Sequence, residues 1–282
     1  MLTQPERPAS TLGVTASSHH SVTLRGRHVL LRPIEPADFG PLYSIELSPE
    51  NIYRWRFRAS TPSPEQYARS LFEGVLASFV VESTDSGSIV GVVTCYNADL
   101  KNGVAYLAAL SAEVWRRRPA AIEGIELLID YCFQNWQFRK LYLESPEYCQ
   151  VEFASAPERL LREEARLVDH EFFDGRYWDR LILALHRTDW ENDLRRRASQ
   201  RPPDNAEEFL DLVRVELLLD ESDMLTISSS LNDIQLDSLS LYALVVLVEE
   251  LAGEAVLDPV LDQWRSLDDV YSWLEQRLPG RG

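Results

Sequence analysis

With 282 residues and a formal net charge of -17, the chain is long enough for two domains, and its charge is unevenly spread. From Asp204 to Gly282 there are 18 Asp and Glu against 4 Arg and no Lys, a net of -14, which leaves -3 for everything before it. So negative a segment repels nucleic acid and anionic lipid and is steered toward basic patches on protein partners, which excludes nucleic-acid and membrane binding. Cys95, Cys132 and Cys149 form no CxxC pair, so neither a disulfide framework nor a metal site is expected, and they read as reduced thiols of a cytoplasmic protein.

Residues 1–21 hold no apolar run long enough for a signal peptide or a membrane span, and a flexible N-terminal arm is expected there. Residues 22–190 mix strands and helices. Arg27 to Arg32 reads as a strand, Pro36 and Pro64 as first-turn residues of helices, and Phe79 to Glu82 and Ile89 to Tyr96 as strands around the turn Asp85-Ser86-Gly87. Val104 to Ala112 is a further strand, Ala120 to Phe133 a long helix, Lys140 to Glu144 a buried strand and Phe153 to Glu163 a helix. A hairpin closes the domain, pairing Glu171 to Phe173 with Tyr177 to Leu185 across Asp174-Gly175. This order gives an α+β domain with a mixed central sheet.

Residues 191–204, with the run Arg195-Arg196-Arg197 and Arg201-Pro202-Pro203, read as a solvated linker. In residues 205–282, Phe209, Leu212, Val213, Leu217 and Leu219 recur at three- and four-residue spacing and predict a helix. Leu241, Leu244, Val245, Val248 and Leu251 predict a second helix, from Ser238 to a stop at Gly253. Leu267, Val270, Trp273, Leu274 and Leu278 predict a third, making an all-α small helical bundle. Asp237 and Ser238 are good helix N-caps, and a hydroxyl at a helix N-terminus is also well placed to carry a phosphodiester, whose charge the free amides favour.

The stretch Leu231 to Leu241, holding Asp237-Ser238-Leu239 in an acidic setting with Glu249 and Glu250 on the helix that follows, resembles the acyl and peptidyl carrier protein superfamily. The resemblance implies an exposed Ser238 that bears a covalent 4'-phosphopantetheine arm, and an acidic helix that docks a phosphopantetheinyl transferase or an acyl-activating or adenylating enzyme. Upstream, Leu30 to Asp38, Ala112 to Arg118 and Phe173 to Asp179 resemble the GNAT acyltransferase superfamily, close to its ribosomal-protein acetyltransferase-like branch.

In that superfamily a loop ahead of the long helix presents amides to the pyrophosphate of coenzyme A. Here Arg116, Arg117, Arg118, Ala120 and Ala121 occupy it, with Pro119 where glycine is usual, and proline offers no amide. Glu144, Ser145 and Tyr148 follow the buried strand where the family places its catalytic acid, while the usual asparagine is absent. The expected function is transfer of an acyl or aminoacyl thioester from the arm on Ser238 to a small-molecule amine in natural-product biosynthesis. Two alternatives stand beside it: the first domain loads its own carrier from a coenzyme A thioester, possibly with decarboxylation, or it is a catalytically dead adaptor.

Overall fold

The computed structural model describes residues 22–54, 56–116, 118–152, 160–219, 224–234 and 236–278, so the expected arm at 1–21 lies outside the described residues. Eight strands form one sheet: β1 Leu24–Arg25, β2 Val29–Pro33, β3 Val75–Ser83, β4 Ile89–Asp99, β5 Val104–Ser111, β6 Lys140–Pro146, β7 Leu161–Phe173 and β8 Arg176–His186. Their spatial order is β1-β2-β3-β4-β5-β6-β8-β7. Only β5 and β6 pair in parallel, so the sheet is mixed, as expected.

Apolar runs in β3 and β4 bury both faces of the sheet because successive side chains alternate. Val81 and Val93 pack with Leu128, Ile129 and Cys132 of helix α3 (Pro119–Asn135) on one face. Val80 and Val92 pack on the other with Leu42 of α1 (Phe39–Glu46) and Tyr67 of α2 (Pro64–Ser70). Each fully buried side chain of this kind contributes about 1.5–3 kcal/mol. The β7–β8 hairpin turns through Asp174 and Gly175, at φ 49 and 76, the left-handed pair that a two-residue turn requires.

Two expectations are corrected. Residues 153–159 of the expected helix lie outside the described residues, and Leu161 to Glu163 instead open β7, paired with Leu185 to Leu183 of β8. Most of the expected linker is the helix α4 (Arg187–Ala198). Its Trp190 is buried in the main core and donates to Asp130 Oδ1 at 2.7 Å. Arg196 pairs with Glu216 at 2.6 Å, and Arg197 with Glu126 at 3.0 Å and Asp193 at 2.7 Å, so these two are fastened down while Arg195 is exposed.

After Ser199 to Asn205 come helices α5 (Ala206–Leu217), α6 (Ser238–Ala252), α7 (Asp258–Leu261) and α8 (Leu267–Glu275). Asn205 caps α5, Asp237 caps α6 by accepting from the Ser240 amide at 2.7 Å, and Gly253 ends α6 at φ 75. Phe209, Val213, Leu244, Val248, Val270 and Leu274 give these helices a core of their own. None of the helices among the described residues is long and apolar enough to cross a membrane.

The bundle rests on the sheet domain through α6, and this overturns the reading of Glu249 as part of an open docking face. Glu249 is 2% exposed. It meets His28 Nε2 at 2.6 Å and Arg27 Nη1 at 3.4 Å, and accepts from the Val256 amide at 2.7 Å. Nearby, Tyr242 donates to Glu126 at 2.8 Å. Glu123 of α3 accepts the backbone N–H groups of Arg27, His28 and Val29 at 2.7, 2.7 and 3.0 Å, holding β2 against the helix below this contact.

Burial opposes a charge on His28, but the Glu249 carboxylate, with Glu123 and Asp258 beyond it, outweighs that and raises its pKa. A raised folded-state pKa gives stability that is full below the unfolded value of about 6.5 and is lost as pH rises through the folded one. The bundle should therefore dock less firmly above neutral pH, and His28→Ala should remove that dependence, as read by scattering or cross-linking across a pH series. Glu249→Ala, which leaves His28 and Arg27 without their buried partner, should cost about 3 kcal/mol in thermal unfolding.

Candidate active site

β5 and β6 pair from Val104–Lys140 to Leu107–Leu143 and then part. Past that point Ala108 to Leu110 have no strand beside them on the β6 side, and a cavity of about 1330 Å3 opens between them and Glu144 to Pro146. A cavity of this size exceeds the ordinary range for one small ligand, about 300–1,000 Å3. Its lining includes Ala121, Ile122, Ile125 and Glu126 of α3 with Ser238, Leu239 and Tyr242 of α6. It also includes Asn51, Arg54, Arg56, Arg58, Tyr96, Glu171 and Arg180.

Ser238 thus lies in the wall of the cleft. It is half-buried where an exposed hydroxyl was expected. The cap is Asp237, and Ser238 is the first residue of α6, its hydroxyl making no hydrogen bond among the described residues. This leaves the oxygen available to carry a substituent.

The expected phosphate-loop residues are divided among other tasks. Arg116 donates to Asn51 Oδ1 at 2.8 Å and to the Glu50 carbonyl at 3.2 Å, while Asn51 donates to the Ser111 carbonyl at 3.0 Å, so this chain of bonds pins the free end of β5. Arg118 reaches Asp262 at 2.7 Å and Asp258 at 3.9 Å, clamping α7 of the bundle over the start of α3. Arg117 lies outside the described residues. Ala121 lines the cavity and Ala120 is buried, behind a Pro119 that supplies no amide.

Of the expected catalytic residues, Glu144 and Ser145 line the cavity and Tyr148 does not. Glu144 accepts from Arg180 Nη1 at 3.1 Å, and Arg180 also bonds Glu171. Ser145 Oγ donates to the Pro146 carbonyl at 3.3 Å. Tyr148 is enclosed by Tyr53, Phe173 and Trp178, with ring centroids at 6.1, 4.6 and 5.5 Å, and its phenol is pushed up to about 12 by burial.

Besides Tyr242, whose hydroxyl is given to Glu126, the phenol lining the cleft is that of Tyr96, on β4 next to Asn97 at φ 46, where the strand leaves register with β5. Burial, and then Glu144, pushes it up to about 12, so it stays protonated and able to donate. Tyr96 and Arg180 were missed because they come from strands far from β6 in sequence. The only local signal at Tyr96 was the asparagine following it.

Close to Arg56, Glu46 of α1 is 0% exposed, and both its oxygens lack a hydrogen-bond partner among the described residues. Burial pushes its carboxyl up to about 7 against the pull of Arg56. The folded pKa lies above the unfolded one, so stability is full below about 4.5 and falls as pH rises to about 7, a loss of about 3 kcal/mol. Glu46→Gln should flatten that slope in denaturant melts and stabilise the protein at pH 7 and above.

Residues 28–146 match the family described as the acetyltransferase (GNAT) domain. No curated protein matches the chain. Among solved structures, the spermidine N-acetyltransferase from Vibrio cholerae in complex with CoA and spermine is similar at 20% identity, covering 59% of this chain and 100% of its own, with a TM-score of 0.53. A probable GNAT-family acetyltransferase from Chromobacterium violaceum is similar at 17% identity, covering 68% and 99%, at 0.51. A GCN5-related N-acetyltransferase from Brucella melitensis is similar at 22%, covering 62% and 83%, at 0.50. At these identities the likeness to the solved structures is one of fold. The class of the sheet domain is that of an acyltransferase, with a GNAT domain at residues 28–146.

Proposed function

We propose that the GNAT domain transfers an acyl or aminoacyl group to a small-molecule amine from a thioester on a 4'-phosphopantetheine arm at Ser238, residues 205–282 being a carrier domain. The observation that carries this reading is the position of Ser238 in the wall of the cleft between β5 and β6. An arm on its hydroxyl would share one cavity with Glu144 and Tyr96, which line it together with Ser238.

The docked bundle also competes with free coenzyme A. Arg118, a cation that would meet its pyrophosphate, is held by Asp262, and Pro119 withdraws one amide. The arm has a single phosphodiester and needs this loop less. As an amine nitrogen took the acyl carbon from sulfur, Tyr96 would protonate the departing thiolate to a thiol. Glu144 or solvent would take the proton that the nitrogen sheds. The edge of β5 past Leu107, left without pairing to β6, would offer backbone amides to the developing oxyanion.

Transfer in the opposite direction, from a coenzyme A thioester to the arm, is the second reading. The Vibrio cholerae neighbour was crystallised with CoA, which favours it.

Intact-protein mass spectrometry after treatment with a phosphopantetheinyl transferase should show the added arm on the wild type and none on Ser238→Ala. An acyl group loaded onto that arm should then be lost to candidate amines. In single-turnover kinetics Tyr96→Phe should slow that loss by about a hundredfold or more, and Tyr148→Phe should not. No mass gain on the wild type would end the carrier assignment.

Access to Ser238 gives a further expectation. A modifying enzyme needs the hydroxyl that the docked state turns into the cleft, so Glu249→Ala should speed attachment of the arm, as followed by the same mass shift over time.

A further inference from the structure

The cavity is lined by more cations than anions in a chain whose net charge is -17. Arg54, Arg56, Arg58, Arg116, Arg180 and Arg197 line it, against the carboxylates Glu73, Glu126, Glu144 and Glu171. Two of these arginines are crowded together. Arg180 lies close enough to Arg58 that its guanidinium is pushed below the ordinary value, first by burial and then by that neighbour. Glu171 lies between them, bonded by Arg180 and 4.0 Å from Arg58.

Arg58 is the group best placed to meet an incoming molecule. Its side chain is 58% exposed, one oxygen of its carboxylate neighbour is already engaged by Arg180, and it sits at φ 44 beside Ala59 at φ 69. Two successive left-handed non-glycine residues are costly to hold, and such strain gathers at ligand clamps. Arg58 and Arg180 belong to neither α3 nor α6, beside which the arm would begin, and are left to the acceptor.

We propose that the acceptor amine carries an anionic group, a carboxylate or a phosphate, that binds at Arg58 and Arg180 while its nitrogen faces the thioester. This rests on the reading of the cleft as an acyl-transfer site. Guanidinium forks suit both anions, and the exposed Arg58 repels the additional ammonium groups of a polyamine. The anion is expected to bind by adding to the Arg180–Glu171 pair and not by replacing it.

Calorimetry on the full chain, with β-alanine, O-phosphoethanolamine, ethylamine and spermidine as probes, tests this without any transfer step. One or both anionic amines should bind at least tenfold more tightly than ethylamine and spermidine. The tighter of the two identifies carboxylate or phosphate, and Arg58→Gln should remove most of the difference. Equal or tighter binding of ethylamine or spermidine overturns the proposal, and so does discrimination that survives Arg58→Gln. Circular dichroism and thermal melting of that variant report whether it is folded, and Arg58→Lys, which keeps the charge, should retain part of the preference. If the anionic amine binds as expected but takes no acyl group from loaded Ser238, the anion site stands and the transfer reading falls.

Discussion

The register between β5 and β6 ends at Leu107 and Leu143, and the parting of these two parallel strands gives the protein its place for chemistry. A continuous ladder would have used the backbone edge of Ala108 to Leu110 in strand pairing and left no space between α3 and the sheet. The separation is held from several sides. Asn51 fastens the end of β5 through the Ser111 carbonyl, Arg116 fastens Asn51, and β8 pairs along β6 to Pro146. The groups that face the gap come from β4, β6, β7 and β8, none of which could present them without it.

The same gap gives meaning to the way the helical bundle is seated. Most of the chain's excess negative charge belongs to the bundle, yet several of its acids are spent within the molecule. Glu249 goes to His28 and Arg27, Asp262 to Arg118, and Glu216 to Arg196. Burying such pairs costs desolvation that geometry must offset, so they serve orientation more plainly than stability. Their result is that α6 points its first turn, with Ser238, at the cleft.

Much of the fold was legible in the sequence. The strands of the sheet domain, α3 and the three main helices of the bundle follow from apolar periodicity, and Asp237, Pro119 and Gly253 mark ends that local stereochemistry requires. The failures share one cause. Phe153 to Glu163 is rich in helix formers, but hydrogen bonding to β8 draws Leu161 onward into a strand with little apolar alternation, because most of its side chains face solvent. Helix α4 carries one buried anchor, Trp190, among charged residues, and the partners of Arg196 and Arg197 are Glu216 and Glu126, far away in sequence. At the site, Glu144 and Ser145 could be found from the strand that bears them, whereas Tyr96, Arg58 and Arg180 converge only through the splay.

The two halves are joined by the seven residues from Ser199 to Asn205. Fully extended, such a connection spans at most about 25 Å. A group attached to the bundle therefore cannot stray far from the cleft even when the ion pairs release it, and its local concentration there is in the millimolar range. Under the proposed function, delivery would be a first-order event within each molecule, indifferent to how dilute the protein is. A donor free in solution would need to be present at comparable abundance to compete with it.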